Sequence, residues 1–200
     1  MDQRTLQFYE DNAETFVSGT VNADMCEARQ YFLRLLPEGA SILDFGCGSG
    51  RDTKAFLDMG YRVDAVDGSS ELCRIASEYT GIPVKQMLFQ DLSAVDMYDG
   101  IWACSSILHL PRRELPDVLQ KISTALKPEG VLYTSFKYGE FEGIRNGRYF
   151  TDFTEGSFEL LMTEIPSLRI KENWITGDVR PGREDERWLN ILLRKTVIHT

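Results

Sequence analysis

The residues best suited to chemistry begin at Asp44, in the run Leu43-Asp44-Phe45-Gly46-Cys47-Gly48-Ser49-Gly50. A short apolar strand, 41–45, feeds the alternating glycines, and a helix over 51–59 follows. Glycines at that spacing let the backbone turn sharply and approach a ligand closely, with free amide N–H groups at the helix start. Asp67 closes the next strand, 61–67, about 20 residues on, where an acid can accept both ribose hydroxyls of an adenosine. The dinucleotide fingerprint needs Gly or Ala three residues after its second glycine, and that position holds Arg51. Asp44 points the same way, because a carboxylate beside the turn repels a pyrophosphate and attracts an ammonium. S-adenosylmethionine carries an ammonium and a sulfonium and no phosphate, so the acidic loop suits it as the cofactor.

Such residues need a scaffold that alternates strand and helix, and the pattern supplies one. An amphipathic helix is expected over 22–36, closed by Pro37, and Gly60 is placed to end the helix after the glycine turn. A helix over 71–79 and a strand over 84–89 follow, then a very apolar strand over 100–104, as the buried middle of a sheet requires. Leu115, Val118, Leu119, Ile122 and Leu126 fall on one face of a helix over 114–127, and 131–136 forms the fifth strand. The stretch 137–148 carries glycines and no periodicity, which predicts a mobile loop. A helix over 154–165 has Thr154 or Asp152 as its N-cap. Strands over 168–175 and 187–195 are joined by a polar segment, 176–186, that contains no helix, so they should pair antiparallel.

Two hundred residues make one domain, with 42% hydrophobic and 26% charged residues, as in an ordinary globular chain. A net charge of −9 with no clustered Lys and Arg counts against nucleic acid or an anionic membrane as partner. No apolar run is long enough to span a bilayer, and the start Met1-Asp2-Gln3-Arg4 lacks a secretory pattern. Cys26, Cys47, Cys73 and Cys104 form no CxxC pair, so neither a metal site nor a disulfide framework is expected, and the cytoplasm is the natural compartment.

With these pieces in order, the sequence resembles the class I S-adenosylmethionine-dependent methyltransferases. The resemblance is carried by Ile42 to Gly50, Val66-Asp67-Gly68-Ser69, Gln90-Asp91-Leu92, the Asp99-to-Leu110 strand and turn, and Leu126-Lys127-Pro128-Glu129-Gly130-Val131-Leu132. Within the family it is similar to small bacterial enzymes near the tellurite-resistance methyltransferases, which Gly147-Arg148-Tyr149-Phe150-Thr151-Asp152-Phe153 also resembles. The implied fold is α/β: a three-layer, Rossmann-like, seven-stranded, mostly parallel sheet with an antiparallel last strand and helices on both faces. One domain, 1–200, would comprise an N-terminal lid and helix (1–36), a cofactor-binding core (40–137), and a substrate loop, helix and hairpin (138–200).

The resemblance also implies roles. Gly46, Cys47 and Gly48 would line the methionine moiety, with Asp44 near its ammonium. Asp67 would hold the ribose, and Gly68 and Ser69 would lie beside the adenine. Asp91 would accept the adenine amino group while the Leu92 N–H meets a ring nitrogen, and Cys104 and Ser105 would lie under the sulfonium. The stretch Phe8 to Phe16 resembles the family's lid; Tyr9 could reach the methionine end, where Arg29 or Arg51 meets the carboxylate.

Methyl transfer is an in-line displacement, so the protein supplies proximity, alignment and a dry site. A thiol acceptor needs little base catalysis; for a hydroxyl the base candidates are His109, Tyr149 and Asp152. The walls available for the acceptor are short (1–36, the turn after Cys104, 137–152 and 176–186), which favours a small molecule, bound by a monomer or homodimer. Two other readings remain open: a protein that binds S-adenosylmethionine without turnover, and an NAD-linked oxidoreductase, against which Arg51 weighs.

Overall fold

Three runs of apolar residues, at 41–45, 98–103 and 126–137, set the spine of the fold, because each lies between two layers of helix. The computed structural model describes residues 2–183 and 185–196; the expected domain limits at Met1 and Thr200, and Glu184 in the polar segment, lie outside the described residues. The first half holds α1 (Gln3–Asp11), α2 (Ala13–Thr20), α3 (Cys26–Leu33), β1 (Ser41–Phe45), α4 (Arg51–Asp58), β2 (Arg62–Asp67), α5 (Ser70–Thr80) and β3 (Val84–Gln86). Then come β4 (Tyr98–Ala103), α6 (Leu115–Ala125), β5 (Leu126–Lys137), β6 (Glu142–Arg145), β7 (Arg148–Thr151), α7 (Glu155–Met162), β8 (Leu168–Gly177) and β9 (Arg187–Lys195).

Seven strands form one sheet in the order β3-β2-β1-β4-β5-β9-β8. β1 to β5 pair parallel, and β9 runs antiparallel to both β5 and β8. The expected Rossmann-like α/β sheet, mostly parallel with its last strand reversed, is therefore present. Side chains alternate between layers as the pleat demands. Leu43, Ile101 and Leu132 pack with α6 and α7, whereas Ile42, Trp102 and Tyr133 pack with Phe32 of α3 and Phe56 of α4. Trp102 and Tyr133 stack with ring centroids 4.0 Å apart.

Strand order reverses direction between β1 and β4, which opens a crevice at their carboxyl ends. The chain turns there twice, after Phe45 and after Ala103.

Several expectations need correction, among them the helix over 114–127, which ends at Ala125 so that Leu126 opens β5. The 22–36 segment is helical only over Cys26–Leu33, and the 84–89 segment is strand only over Val84–Gln86, before a 3-10 turn at Phe89–Asp91. The 137–148 loop is instead half of a β-hairpin, in which Arg145 pairs with Arg148. Asn146 and Gly147 both adopt positive φ, 51° and 77°, the two-residue turn whose twist matches paired strands. Thr154, not Asp152, caps the following helix, in a reciprocal box with Ser157.

Candidate functional site

The glycine turn is built by close approach. Gly46 has φ of 89°, and a Cβ on it would lie 2.5 Å from the Cβ of Ser106, in the turn after β4. Only glycine lets those two turns meet. The amides of Gly46 and Cys47 donate to the Val66 carbonyl at 2.9 and 3.0 Å, tying the turn to β2. Asp67, next along, accepts from Gly48 N through Oδ2 and from Ser69 N through Oδ1, both at 2.9 Å. Burial raises its pKa against these backbone bonds.

Asp44 is buried behind the turn. Its Oδ2 accepts from Thr53 Oγ1 at 2.6 Å, and burial, reinforced by nearby Asp52, pushes the carboxyl up to about 7. Asp52 itself is a hub. Arg29 Nη1 donates to Oδ1 at 2.6 Å, Arg51 Nη2 to Oδ2 at 2.6 Å, and Trp102 Nε1 to Oδ2 at 3.0 Å. Burial opposes ionisation of Asp52, but the two guanidiniums prevail and hold its pKa below the ordinary value. Two arginines thus share one carboxylate. Arg51 Nη2 also lies 3.9 Å from Cys104 Sγ, whose thiol burial lifts to about 11.

Opposite the turn, the N-terminal helix α1 closes over the crevice. The Nδ1 atom of His109 lies 2.6 Å from the Tyr149 carbonyl, which can only accept, so Nδ1 carries the proton. Nε2 then accepts from the Tyr9 hydroxyl at 2.8 Å, and Arg148 Nη1 donates to that hydroxyl at 3.2 Å. Burial drives the imidazole down to about 3, so it is neutral.

These groups surround a cleft of about 510 Å3. Every residue nominated from the glycine turn borders it, as do Tyr9, Asp44, Arg51, Asp67, Gly68, Cys104, Ser105 and His109. Other nominated side chains are placed elsewhere. Ser69 is buried as the N-cap of α5, accepting from Leu72 N. The 3-10 turn leaves Asp91 exposed, while Phe89 borders the cleft; Leu92, nominated for its backbone N–H, has its side chain in the core and that N–H 3.5 Å from the Phe89 carbonyl. The Tyr149 hydroxyl donates to Glu142 at 2.8 Å. Asp152 is buried in a two-toothed ion pair with Arg145, at 2.7 and 3.1 Å.

Sequence reasoning passed over Asp52, Lys137, Arg148, Arg180 and Arg183, all of which line the cleft. The basic residues of 176–186 were the available signal, because that segment was already assigned to the acceptor wall. Among the described residues no group of three or more His, Cys, Asp or Glu could hold a metal ion, and no helix is long and apolar enough to cross a membrane.

Comparisons with known proteins agree with this geometry. A family model described as a methyltransferase domain matches residues 42–130. A ubiquinone biosynthesis O-methyltransferase of Xanthomonas axonopodis pv. citri is 30% identical over 109 residues, covering 51% of this chain and 45% of that protein. An N-terminal Xaa-Pro-Lys N-methyltransferase 1 of Rattus norvegicus is 32% identical over 125 residues, 56% of each. The chain therefore spans about half the length of these curated relatives. In fold, it resembles the 1,6-didemethyltoxoflavin-N1-methyltransferase of Burkholderia thailandensis, solved with 1,6-didemethyltoxoflavin and S-adenosylhomocysteine. That superposition has a TM-score of 0.75 at 23% identity, covering 96% of this chain and 85% of the other. Residues 42–130 thus match a methyltransferase domain, and the sheet as a whole has the fold of a solved methyltransferase.

Proposed function

We infer that the whole chain is an S-adenosylmethionine-dependent methyltransferase whose acceptor is a small molecule. One observation carries the cofactor assignment. Asp44 is buried beside the glycine turn with a pKa near 7, and the neighbouring guanidiniums are engaged by Asp52. An ammonium placed against Asp44 restores its ionisation, whereas a pyrophosphate there would meet a second negative charge. The residues present fit the cofactor. Asp44 takes the ammonium, Arg51, which borders the cleft, faces the carboxylate while Arg29 holds Asp52 from behind, and Asp67, already oriented by two amides, takes the ribose. Gly68 and Phe89 remain for the adenine.

The bound cofactor supplies an electrophilic methyl group on a sulfonium. The chain positions the partners and keeps water out, with Cys104 and Ser105 under the reacting centre and α1 as the cover. His109 is no general base in this arrangement, since Nε2 is capped by Tyr9 and its basicity is suppressed. Tyr149 and Asp152 keep their hydroxyl and carboxylate outside the cleft, which favours an acceptor atom of low pKa, such as a thiol. The 147–153 segment supports a place near the small bacterial methyltransferases of the tellurite-resistance type. The cleft's volume and short walls suit a small acceptor over a protein.

The test is S-adenosylhomocysteine formation across thiols, amines, hydroxyls and metalloid oxyanions. Turnover of at least one class, thiols ahead of unactivated hydroxyls, is expected. Cofactor binding with no product from any class would make the chain a non-catalytic binder.

A further inference from the structure

The far end of the cleft is more basic than the rest of this acidic chain. Lys137 at the end of β5, Arg148 on β7, and Arg180 and Arg183 between β8 and β9 all border it. Among the described residues two carboxylates answer these four cations. Asp178 accepts from Arg180 Nε and Nη2 at 2.9 and 2.6 Å and from Trp188 Nε1 at 3.1 Å, with Lys137 Nζ 3.6 Å away. Glu186 pairs with Lys137 and, at 3.2 Å, with Arg183.

Arg148 has no carboxylate partner among the described residues. It donates to the Tyr9 hydroxyl and packs its guanidinium against the Phe8 and Phe150 rings, while its buried Nε has no hydrogen-bond partner. The crowding of like charge is felt by its members. Burial, then Arg180 and Arg183, bring the Lys137 ammonium down to about 8, and burial with Arg180 lowers Arg183. The cleft's acids outside this cluster do not neutralise it. Asp44, Asp52 and Asp67 belong to the glycine-turn end, and Asp24 and Glu27 stand on the α2–α3 side, which also carries Arg29.

A partly buried surplus of cations, one of them an arginine with an unused donor, is a site for an anion. The Trp174 and Phe150 rings border the same space and offer an apolar wall. We propose that this end of the cleft binds a small organic anion, a carboxylate or phosphate on an apolar body, anchored by Arg148 and Arg180, and that this anion is the methyl acceptor. The acceptor role rests on the methyl-transfer reading; the anion site stands on the cations alone.

The experiment is calorimetric titration of the full chain, with and without S-adenosylhomocysteine, using matched aromatic pairs. Benzoate is set against benzamide, 4-mercaptobenzoate against thiophenol, and phenyl phosphate against phenol. The anionic member of at least one pair should bind about tenfold or more tightly, with the preference shrinking as salt rises. Carboxylate and phosphate arms separate the two sources of charge. Arg180→Gln and Arg148→Gln should each erase most of that preference while thermal melting shows a folded protein. Equal affinity within every pair, no anion binding, or folded variants that keep the preference would overturn the proposal. Because binding is read without turnover, a chain that binds anions yet methylates nothing would sink the enzymatic reading alone.

Discussion

The Tyr9 hydroxyl donates to Nε2 of His109 across 2.8 Å, fastening the N-terminal helix to the turn after β4. The same hydroxyl accepts from Arg148, so one oxygen joins three parts of the cleft wall. Replacing Tyr9 with Phe leaves a buried acceptor and a guanidinium donor unpaired, at a cost of about 1–3 kcal/mol. Urea denaturation should show that loss, together with weaker S-adenosylhomocysteine binding. A variant as stable and as tight-binding as the parent would show that the hydroxyl fastens nothing.

His109 sets a pH dependence of its own. Its folded pKa, about 3, lies below the ordinary value of 6.5, so the unfolded chain takes up this proton first. Its contribution is therefore complete above pH 6.5 and is lost as pH falls toward 3. His109→Gln should flatten the acid limb of the stability curve, and no ionisation of this residue should appear in a pH–rate profile between about 5 and 9. An imidazole seen to titrate near 6.5 by NMR would contradict the buried, neutral assignment.

Asp44 acts with the opposite sign. Its folded pKa is raised from 3.8 to about 7, so the folded state holds the proton longer and stability from this group falls as pH rises through that window. The cost above pH 7 amounts to about 4 kcal/mol at most. Asp44→Asn should thus stabilise the ligand-free protein at pH 8 while weakening S-adenosylmethionine binding by about tenfold or more. Thermal melts and calorimetry read the two effects separately. A variant destabilised at pH 8 with unchanged affinity would remove Asp44 from the cofactor site.

Gly46→Ala meets both a left-handed backbone and a 2.5 Å approach to Ser106. A cost of about 2–4 kcal/mol is expected, with cofactor binding lost along with the turn. Full stability in urea would mean the two turns can part without penalty.

Much of this was legible in the residues themselves. Strands such as Ser41–Phe45 and Arg187–Lys195 are apolar runs between turn signals, and the glycines after β1 announce a backbone that must turn. The hairpin at 142–151 lacks a readable periodicity, and its informative signal is the dipeptide Asn146-Gly147. Asp52 was missed for a different reason. Its neighbours Arg29 and Trp102 lie 23 and 50 residues away, and only the fold brings them to one carboxylate. Asp91 was expected just after a strand and facing the adenine, yet it closes a 3-10 turn, and the direction of its side chain depends on a geometry that spacing does not encode. The basic end of the cleft was visible as composition in 176–186, but its surplus of charge appears only once Asp178 and Glu186 are seen to be shared.

The most direct measurement is a calorimetric titration of the chain with S-adenosylmethionine and, separately, with NADH, repeated on Asp67→Ala. A cleft that presents Asp44 and Asp67 to a cationic adenosyl ligand should bind S-adenosylmethionine and ignore NADH. Loss of the paired ribose contact in Asp67→Ala should weaken binding by about 2 kcal/mol. Tight NADH binding with no response to S-adenosylmethionine, or an unchanged dissociation constant for Asp67→Ala, would contradict it.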